Sequence, residues 1–103
     1  MSTTILKTKT TSRTAILTSA GTALVAQPER ISYKINNLGT NPLFVKEGAG
    51  ASTTDFDYIL AAGTGNDNGT GASYDSPADQ VYTGIITVAG ISPRFSAMYR
   101  TQE

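Results

Sequence analysis

The feature that most constrains this chain is a repeated alternation of apolar and polar residues with a period of two. In segment 30–36, Ile31, Tyr33 and Ile35 fall on one side and polar residues fall on the other. Segment 94–100 repeats this pattern. Because successive side chains of a strand point to opposite faces, the period predicts strands with one face in a core. No run of apolar residues at the spacing of a helix stands out.

Shorter stretches predict further strands. These are residues 43–46, 56–60 and 81–88, a hairpin formed by 14–18 and 22–26, and a Thr-rich segment 3–10 that is either an eighth strand or an extended arm. About seven or eight short strands separated by turn residues are typical of a sandwich or a barrel. No connection holds the dozen or so helical residues of a parallel crossover, so antiparallel pairing is expected.

The predicted fold class is therefore all-β, an antiparallel β-sandwich of about 7–8 strands. Its strand order is jelly-roll or Ig-like, and a small closed barrel is the alternative, because alternation does not determine strand order. The length of 103 residues fits one domain. We assign residues 1–12 to an extended N-terminal arm and residues 13–103 to the single sandwich domain.

Composition excludes several classes of function. The chain has no Cys and no His, so thiol nucleophiles, Cys-bound zinc and Ser-His-Asp triads are ruled out. Eight Lys and Arg balance eight Asp and Glu, so the formal net charge is zero. The chain therefore lacks the excess positive charge that favours binding to nucleic acid or to an anionic membrane. No apolar run approaches the roughly 20 residues of a membrane span. We expect a protein that is not an enzyme and that uses no cofactor, no metal, no nucleic acid and no membrane.

Three patterns that resemble chemical sites have simpler interpretations. Asp55 and Asp57 would share a strand face and could act as paired carboxylates, but nothing predicts a pocket around them, and a solvated strand face is favoured. Segment 65–69, Gly-Asn-Asp-Asn-Gly, lacks the bidentate Glu of a calcium loop, so a tight turn at positive φ is favoured. The glycines of 63–65 and 69–71 precede no helix that could bind a phosphate.

A basic group near the N-terminus is the first candidate for partner binding. Lys7, Lys9 and Arg13 have no acidic residue before Glu29. Such a group could dock on an acidic surface, although a polar tail that is soluble through its charge is the favoured interpretation.

A second candidate is the group Asn66, Asp67 and Asn68. These residues lie in segment 61–78, which is rich in Gly, Asn and Asp and has no aliphatic side chain larger than Ala. A loop of this length in a compact domain is uncommon and is usually functional or disordered. We expect an exposed loop that is anchored by Tyr74 alone.

A series of motifs carries a resemblance to a known group of proteins. The alternating strand 30–36 leads into Asn-Leu-Gly-Thr-Asn-Pro-Leu at 37–43, a second short strand, and Gly-Ala-Gly-Ala at 48–51. Further matching segments are 58–63, 69–71, 82–86 and 94–97. Over roughly residues 30–100, this order of motifs resembles that of small virion proteins of tailed bacteriophages.

The resemblance implies a β-sandwich virion structural protein, foremost a capsid decoration (cement) protein that binds the outer shell and stabilises it. Its partners would be the major capsid protein or another virion protein and further copies of itself, commonly as a homotrimer. It would be made in the bacterial host cytoplasm and located at the capsid surface, and no catalytic residue is carried over. Two alternatives stay open. One is a head-tail connector, tail or head-fibre-base component, and the other is a carbohydrate-binding sandwich that uses loops between 55 and 79.

Overall fold

The computed structural model describes residues 9–77 and 80–102. Its strands are β1 (Lys9–Arg13), β2 (Gly21–Leu24), β3 (Arg30–Asn37), β4 (Leu43–Glu47), β5 (Tyr58–Leu60), β6 (Ser73–Asp75), β7 (Ile86–Ala89) and β8 (Phe95–Gln102). The predicted all-β class and number of strands are confirmed. Residues 9–77 and 80–102 contain no helix that is long and apolar enough to cross a membrane.

The strands form two antiparallel four-stranded sheets. Sheet A has the order β1-β8-β3-β6, and sheet B has the order β2-β7-β4-β5. Counted from the two chain ends, the strands pair as β1 with β8, β2 with β7, β3 with β6, and β4 with β5. A long antiparallel hairpin wound around itself produces this pairing, which is that of an eight-stranded jelly roll. The strand order therefore decides between the sandwich types that the sequence left open.

The core fills the space between the two sheets. Its largest fully buried side chains come from both of them: Phe95 and Ile35 from sheet A, and Leu43, Val45, Ile86 and Val88 from sheet B. In segments 30–36 and 94–100, burial confirms the predicted inward positions of Tyr33, Ile35, Phe95 and Ala97, whereas Ile31 is only half-buried and is not part of the core. Alternation thus identifies the side of each long strand that loses its contact with water.

Strand β7 departs from alternation because it is buried on both faces. Thr87 points away from the core, yet it is 6% exposed. Its hydroxyl donates to the carbonyl of Gly48 at 2.7 Å and accepts from the amide of Ala51 at 3.0 Å. The connection between β4 and β5 therefore folds back over the outer surface of sheet B and covers β7.

Two predictions about the N-terminal third are corrected. Residues 9–12, assigned to an arm, belong to β1 and pair with β8, so the predicted boundary at residue 12 falls inside a strand. The hairpin of 14–18 with 22–26 is wrong, because β2 pairs with β7 and Leu17 forms a bridge with Phe95. A jelly roll places β1 and β2 in different sheets, so a turn between them does not make a hairpin.

Arg30 is a third correction, since the period-two pattern places it on the outer face of β3. A bulge shifts the register there: Arg30 lies opposite Thr101, whereas Ser32 lies opposite Arg100. The extra residue reverses the direction of the preceding side chain, and Arg30 is 2% exposed. Its guanidinium donates to the carbonyls of Tyr82, Gly84 and Val25. Of the predicted strand 81–88, only the part from Ile86 onward forms a strand, which is β7.

Candidate binding cleft at the loop end

Four strand connections meet at one end of the sandwich, which we call the loop end. They join β1 to β2, β3 to β4, β5 to β6, and β7 to β8, and together they line an open cleft of about 320 Å³. The lining residues are Thr18, Thr40, Asn41, Asn66, Ser92, Pro93 and Arg94. Loops held by a rigid scaffold are the usual place for binding residues, so we treat this cleft as the candidate functional site.

The side chain of Asn37 joins two of these connections. It lies at the end of β3, is 3% exposed, and its amide nitrogen donates to the carbonyls of Asn41, Leu60 and Ala61 at 2.9, 3.0 and 3.2 Å. Its amide oxygen accepts from the backbone of Gly39 at 3.0 Å. A single buried amide thus satisfies backbone groups that no strand pairs.

Glycines let the connection between β5 and β6 pack directly on this centre. The backbone of Gly63 donates to the carbonyl of Gly39 at 2.9 Å. A side chain at Gly71 would collide with the carbonyl of Asn37, and one at Gly63 would lie 2.9 Å from the amide nitrogen of Gly71. The described residues 61–77 are therefore a connection that packs on Asn37 and contains β6, and the prediction that Tyr74 is the sole anchor of segment 61–78 is wrong.

Asp67, a predicted partner-binding residue, binds within the protein. Its carboxylate accepts two hydrogen bonds from Arg94, at 2.8 Å from Nε and 2.6 Å from a terminal nitrogen. These bonds lower the pKa of the Asp67 carboxyl and raise the pKa of Arg94. The backbone of Asp67 also donates to the carbonyl of Leu38 at 2.9 Å. Arg94 is thereby oriented at the edge of the cleft.

Backbone strain is concentrated at the same end. Among the described residues, the non-glycine residues with positive φ are Asp67 at 58° and Ser92 at 43°. Strained backbone persists where the surrounding contacts enforce it, and it is common at functional sites. Here, Asp67 and Ser92 lie on two different connections that both contribute to the cleft.

The two neighbours of Asp67 have different roles. Asn66 lines the cleft, whereas Asn68 supports the loop by donating to the Thr64 hydroxyl at 3.0 Å and accepting from the Thr70 backbone at 3.1 Å. The predicted tight turn is confirmed, since Gly69 has a φ of 79°. Of the predicted group 66–68, Asn66 lies at the cleft and the other two shape the loop.

The basic group lies elsewhere. Lys7 is outside the described residues, and Lys9 begins β1 opposite Gln102. Arg13 ends the same strand, is exposed, and lines a smaller hollow of about 180 Å³. The structure does not bring Arg13 into the cleft, so the two predicted groups do not form one site.

The carboxylates of Asp55 and Asp57 also bind locally. Asp55 pairs with Lys46 at 2.6 Å, and Asp57 accepts from the backbone of Glu47 at 2.6 Å. The predicted strand 56–60 begins only at Tyr58, so the two carboxylates do not share a strand face. The described part of the chain contains no group of three or more acidic side chains that could hold a metal ion.

Most of the cleft residues were missed by sequence reasoning. Arg94 and Asp67 are 27 positions apart, and no local pattern links them. Asn41, Ser92 and Pro93 are residue types that favour turns, so the presence of loops at these positions could be predicted. No sequence signal showed that these loops meet.

The cleft can bind through hydrogen bonds. Its lining residues carry hydroxyls, side-chain amides and one guanidinium, and the guanidinium of Arg94 is held in place by Asp67. A second exposed surface, the Phe44 patch, consists of Phe44, Phe56 and Ile59 on the outside of sheet B. The rings of Phe44 and Phe56 lie 5.1 Å apart, and Phe44 is directly opposite Ile59. Phe56 and Ile59 are 36% and 49% exposed.

Comparisons with protein-family models, with curated proteins and with solved structures found no match for this chain.

Proposed function

We propose that this protein is a bacteriophage virion structural protein, specifically a capsid decoration protein that binds the outer shell and stabilises it. The observation that carries the proposal is the jelly-roll order of the eight strands together with the preformed polar cleft at the loop end. Jelly rolls are common in viral capsid and lectin domains. The resemblance of residues 30–100 to small virion proteins supports the same role.

The exposed surfaces suit docking on a protein shell. The cleft offers oriented hydrogen-bonding groups, and the Phe44 patch adds apolar area of the kind that marks protein contacts. We propose the major capsid protein, or another virion protein, as the partner and a homotrimer as the assembled form. Many weak docking events become strong when copies are linked, which favours an oligomer on a repetitive shell.

Capsids that lack this protein provide the direct test. Purified protein added at micromolar concentration should bind to the shells until each shell carries a fixed number of copies. The bound protein should raise the temperature at which the shells break. Arg94→Ala should weaken binding, because it removes the guanidinium from the cleft, whereas Arg100→Ala on β8, outside the cleft, should bind as the parent does. Absence of binding by the folded parent protein would contradict the proposal.

The copy number per particle separates decoration from the alternative positions in the virion. Copies in proportion to the capsid subunits indicate decoration, and copies that match a single ring indicate a connector, tail or fibre-base component. Sedimentation equilibrium measures the proposed trimer independently.

A carbohydrate-binding function is the second candidate, and the hydroxyl and amide lining of the cleft favours it. None of the lining residues is aromatic, whereas sugar sites usually present an aromatic face. Tyr74, the aromatic residue of segment 61–78, stacks on Tyr58 within the protein. A glycan array with the parent protein and Arg94→Ala tests this candidate.

A further inference from the structure

Four side chains close the side of the sandwich between the edge strands β5 and β6, and we call them the tyrosine cluster. They are Tyr33 from β3, Glu47 from β4, Tyr58 from β5 and Tyr74 from β6. The rings of Tyr58 and Tyr74 are stacked, with centroids 4.2 Å apart and planes inclined by 24°. Because β5 belongs to sheet B and β6 to sheet A, this stack joins the two sheets.

The hydroxyls of Tyr33 and Tyr58 form a hydrogen-bonded chain to Glu47 with one direction. Tyr33 donates to Glu47 Oε2 at 2.5 Å, and the hydroxyl oxygens of Tyr33 and Tyr58 lie 3.0 Å apart. A phenol has a single hydrogen to donate, and that of Tyr33 goes to Glu47. Tyr58 must therefore donate to Tyr33, so a proton that leaves Tyr58 has a path to a carboxylate.

This path matters for oxidation of Tyr58. Removal of one electron from a phenol makes its hydroxyl proton strongly acidic, so the reaction is favoured where an acceptor is within hydrogen-bond reach. The chain contains no Cys and no Trp, the side chains that would otherwise compete for an oxidant. Tyr74, in contact with the Tyr58 ring, is placed to react with the radical that forms.

We propose that Tyr58 and Tyr74 are an oxidative cross-linking site, at which a one-electron oxidant such as the sulfate radical forms a dityrosine bond between the two sheets. Each phenol loses one electron and one proton, and the first proton leaves Tyr58 through Tyr33 toward Glu47. One carbon–carbon bond forms between ring carbons adjacent to the hydroxyls. The two ring hydrogens then move to the oxygens and restore both phenols. Overall, two tyrosines and one persulfate give dityrosine and two hydrogen sulfates.

The bond would act as a covalent link between β5 and β6. Like a disulfide, a link that closes a loop in the unfolded chain raises the free energy of unfolding. The cross-linked protein should therefore unfold at a higher temperature than the untreated protein. This site is separate from the cleft and does not depend on the virion role.

Oxidation of the purified protein with persulfate and a ruthenium photosensitiser tests the proposal. A protease that cleaves before aspartate separates Tyr58, in fragment 57–66, from Tyr74, in fragment 67–74. We expect these two fragments to be joined, with a mass lower by two hydrogen atoms and with dityrosine fluorescence. The yield should not change on dilution, because the reaction is intramolecular. A yield that falls with dilution, or a link between other fragments in the folded parent, overturns the proposal.

Variants identify the roles within the cluster. Tyr58→Phe and Tyr74→Phe should each abolish the joined fragment, and Tyr82→Phe, the matched control, should leave it unchanged. Tyr33→Phe keeps the ring but breaks the proton path, so the link should form at the same place but more slowly, by about tenfold or more. Parent protein unfolded in guanidinium should lose the preference for this pair. Retention of the preference after unfolding would show that the fold does not create the site.

Discussion

At the residue scale, two buried polar side chains take the place of strand pairing where the sheets end. Asn37 binds three carbonyls at the loop end, and Arg30 binds three carbonyls at the opposite end. Burial lowers the pKa of Arg30, an effect that the nearby Tyr33 and Tyr99 oppose. Their rings lie 5.8 and 5.5 Å from its guanidinium carbon. Among the described residues, Arg30 Nε has no hydrogen-bond acceptor.

Replacement of Asn37 tests the importance of the first centre. We expect Asn37→Ala to lower the free energy of unfolding by about 2–4 kcal/mol, because it leaves buried backbone groups without partners. Asn36→Ala is the matched control. That side chain is partly exposed and donates to the Ser96 hydroxyl at 3.2 Å, so its loss should cost less than about 1 kcal/mol. Urea unfolding of the two variants gives both values, and equal losses would contradict this role for Asn37.

At the element scale, the two edge strands β5 and β6 are short, and the tyrosine cluster holds them together. Burial raises the pKa of Tyr33, and its hydrogen bond to Glu47 adds to the effect. Burial also raises the pKa of Tyr58, although the hydrogen bond with Tyr33 opposes this. Tyr99 on β8 differs, since hydrogen bonds with Ser12 and Gln27 lower its pKa. The hydroxyls of Tyr33 and Tyr58 thus stay protonated in the folded state well into alkaline solution.

These shifts predict unfolding at high pH. A tyrosine whose pKa is higher in the folded state stabilises the fold fully below the unfolded pKa of about 10, and this contribution is lost as the pH rises above that value. Phenolate absorbance should therefore rise in two steps. Tyr99 ionises in the first step with the fold intact, and Tyr33 and Tyr58 ionise in the second as the fold is lost.

Circular dichroism recorded along the same titration checks the assignment. The loss of the β-sheet signal should coincide with the second step. Tyr58→Phe should reduce the amplitude of that step, whereas Tyr99→Phe should reduce the amplitude of the first step. A single ionisation step near pH 10 with the sheet signal unchanged would be inconsistent with burial of the cluster.

At the scale of the whole molecule, the pairing of β1 with β8 brings the two ends of the described chain together. Lys9 lies opposite Gln102. Strands β3 and β8 also pair, although they are far apart along the chain. Such non-local pairing requires long loops to close before strands can pair, which slows folding. It also means that the order of strands along the chain can be changed without changing the sheets.

A circular permutant tests this arrangement. In it, residue 103 is joined to residue 1, and the chain is opened between Ser19 and Ala20, which are exposed in the connection between β1 and β2. Because every strand pair is retained, the permutant should unfold cooperatively at a denaturant midpoint close to that of the parent. The control, opened between Phe44 and Val45 inside β4, should fail to fold. A Ser19 permutant that fails while remaining soluble would contradict the β1–β8 pairing.

The candidate site, like the fold, has one part that local sequence predicts and another part that depends on contacts between distant residues. The loop 66–68 was predicted from its composition, because Gly, Asn and Asp favour turns wherever they occur. Arg94 was not predicted, because its guanidinium is oriented at the cleft by Asp67, which lies on another connection. A residue's partner across a sheet or between loops leaves no mark in the local sequence.

The sequence by itself determined that this chain forms strands, that Tyr33, Ile35, Phe95 and Ala97 point inward from β3 and β8, and where turns interrupt the strands. Those properties depend on alternation and backbone preference over a few residues. The tertiary structure alone decided that β1 joins β8, that a bulge turns Arg30 inward, and that four connections meet at one cleft. Strand order and register follow from which closed arrangement best buries all the inward faces together, and that balance is set by contacts between residues far apart in the chain.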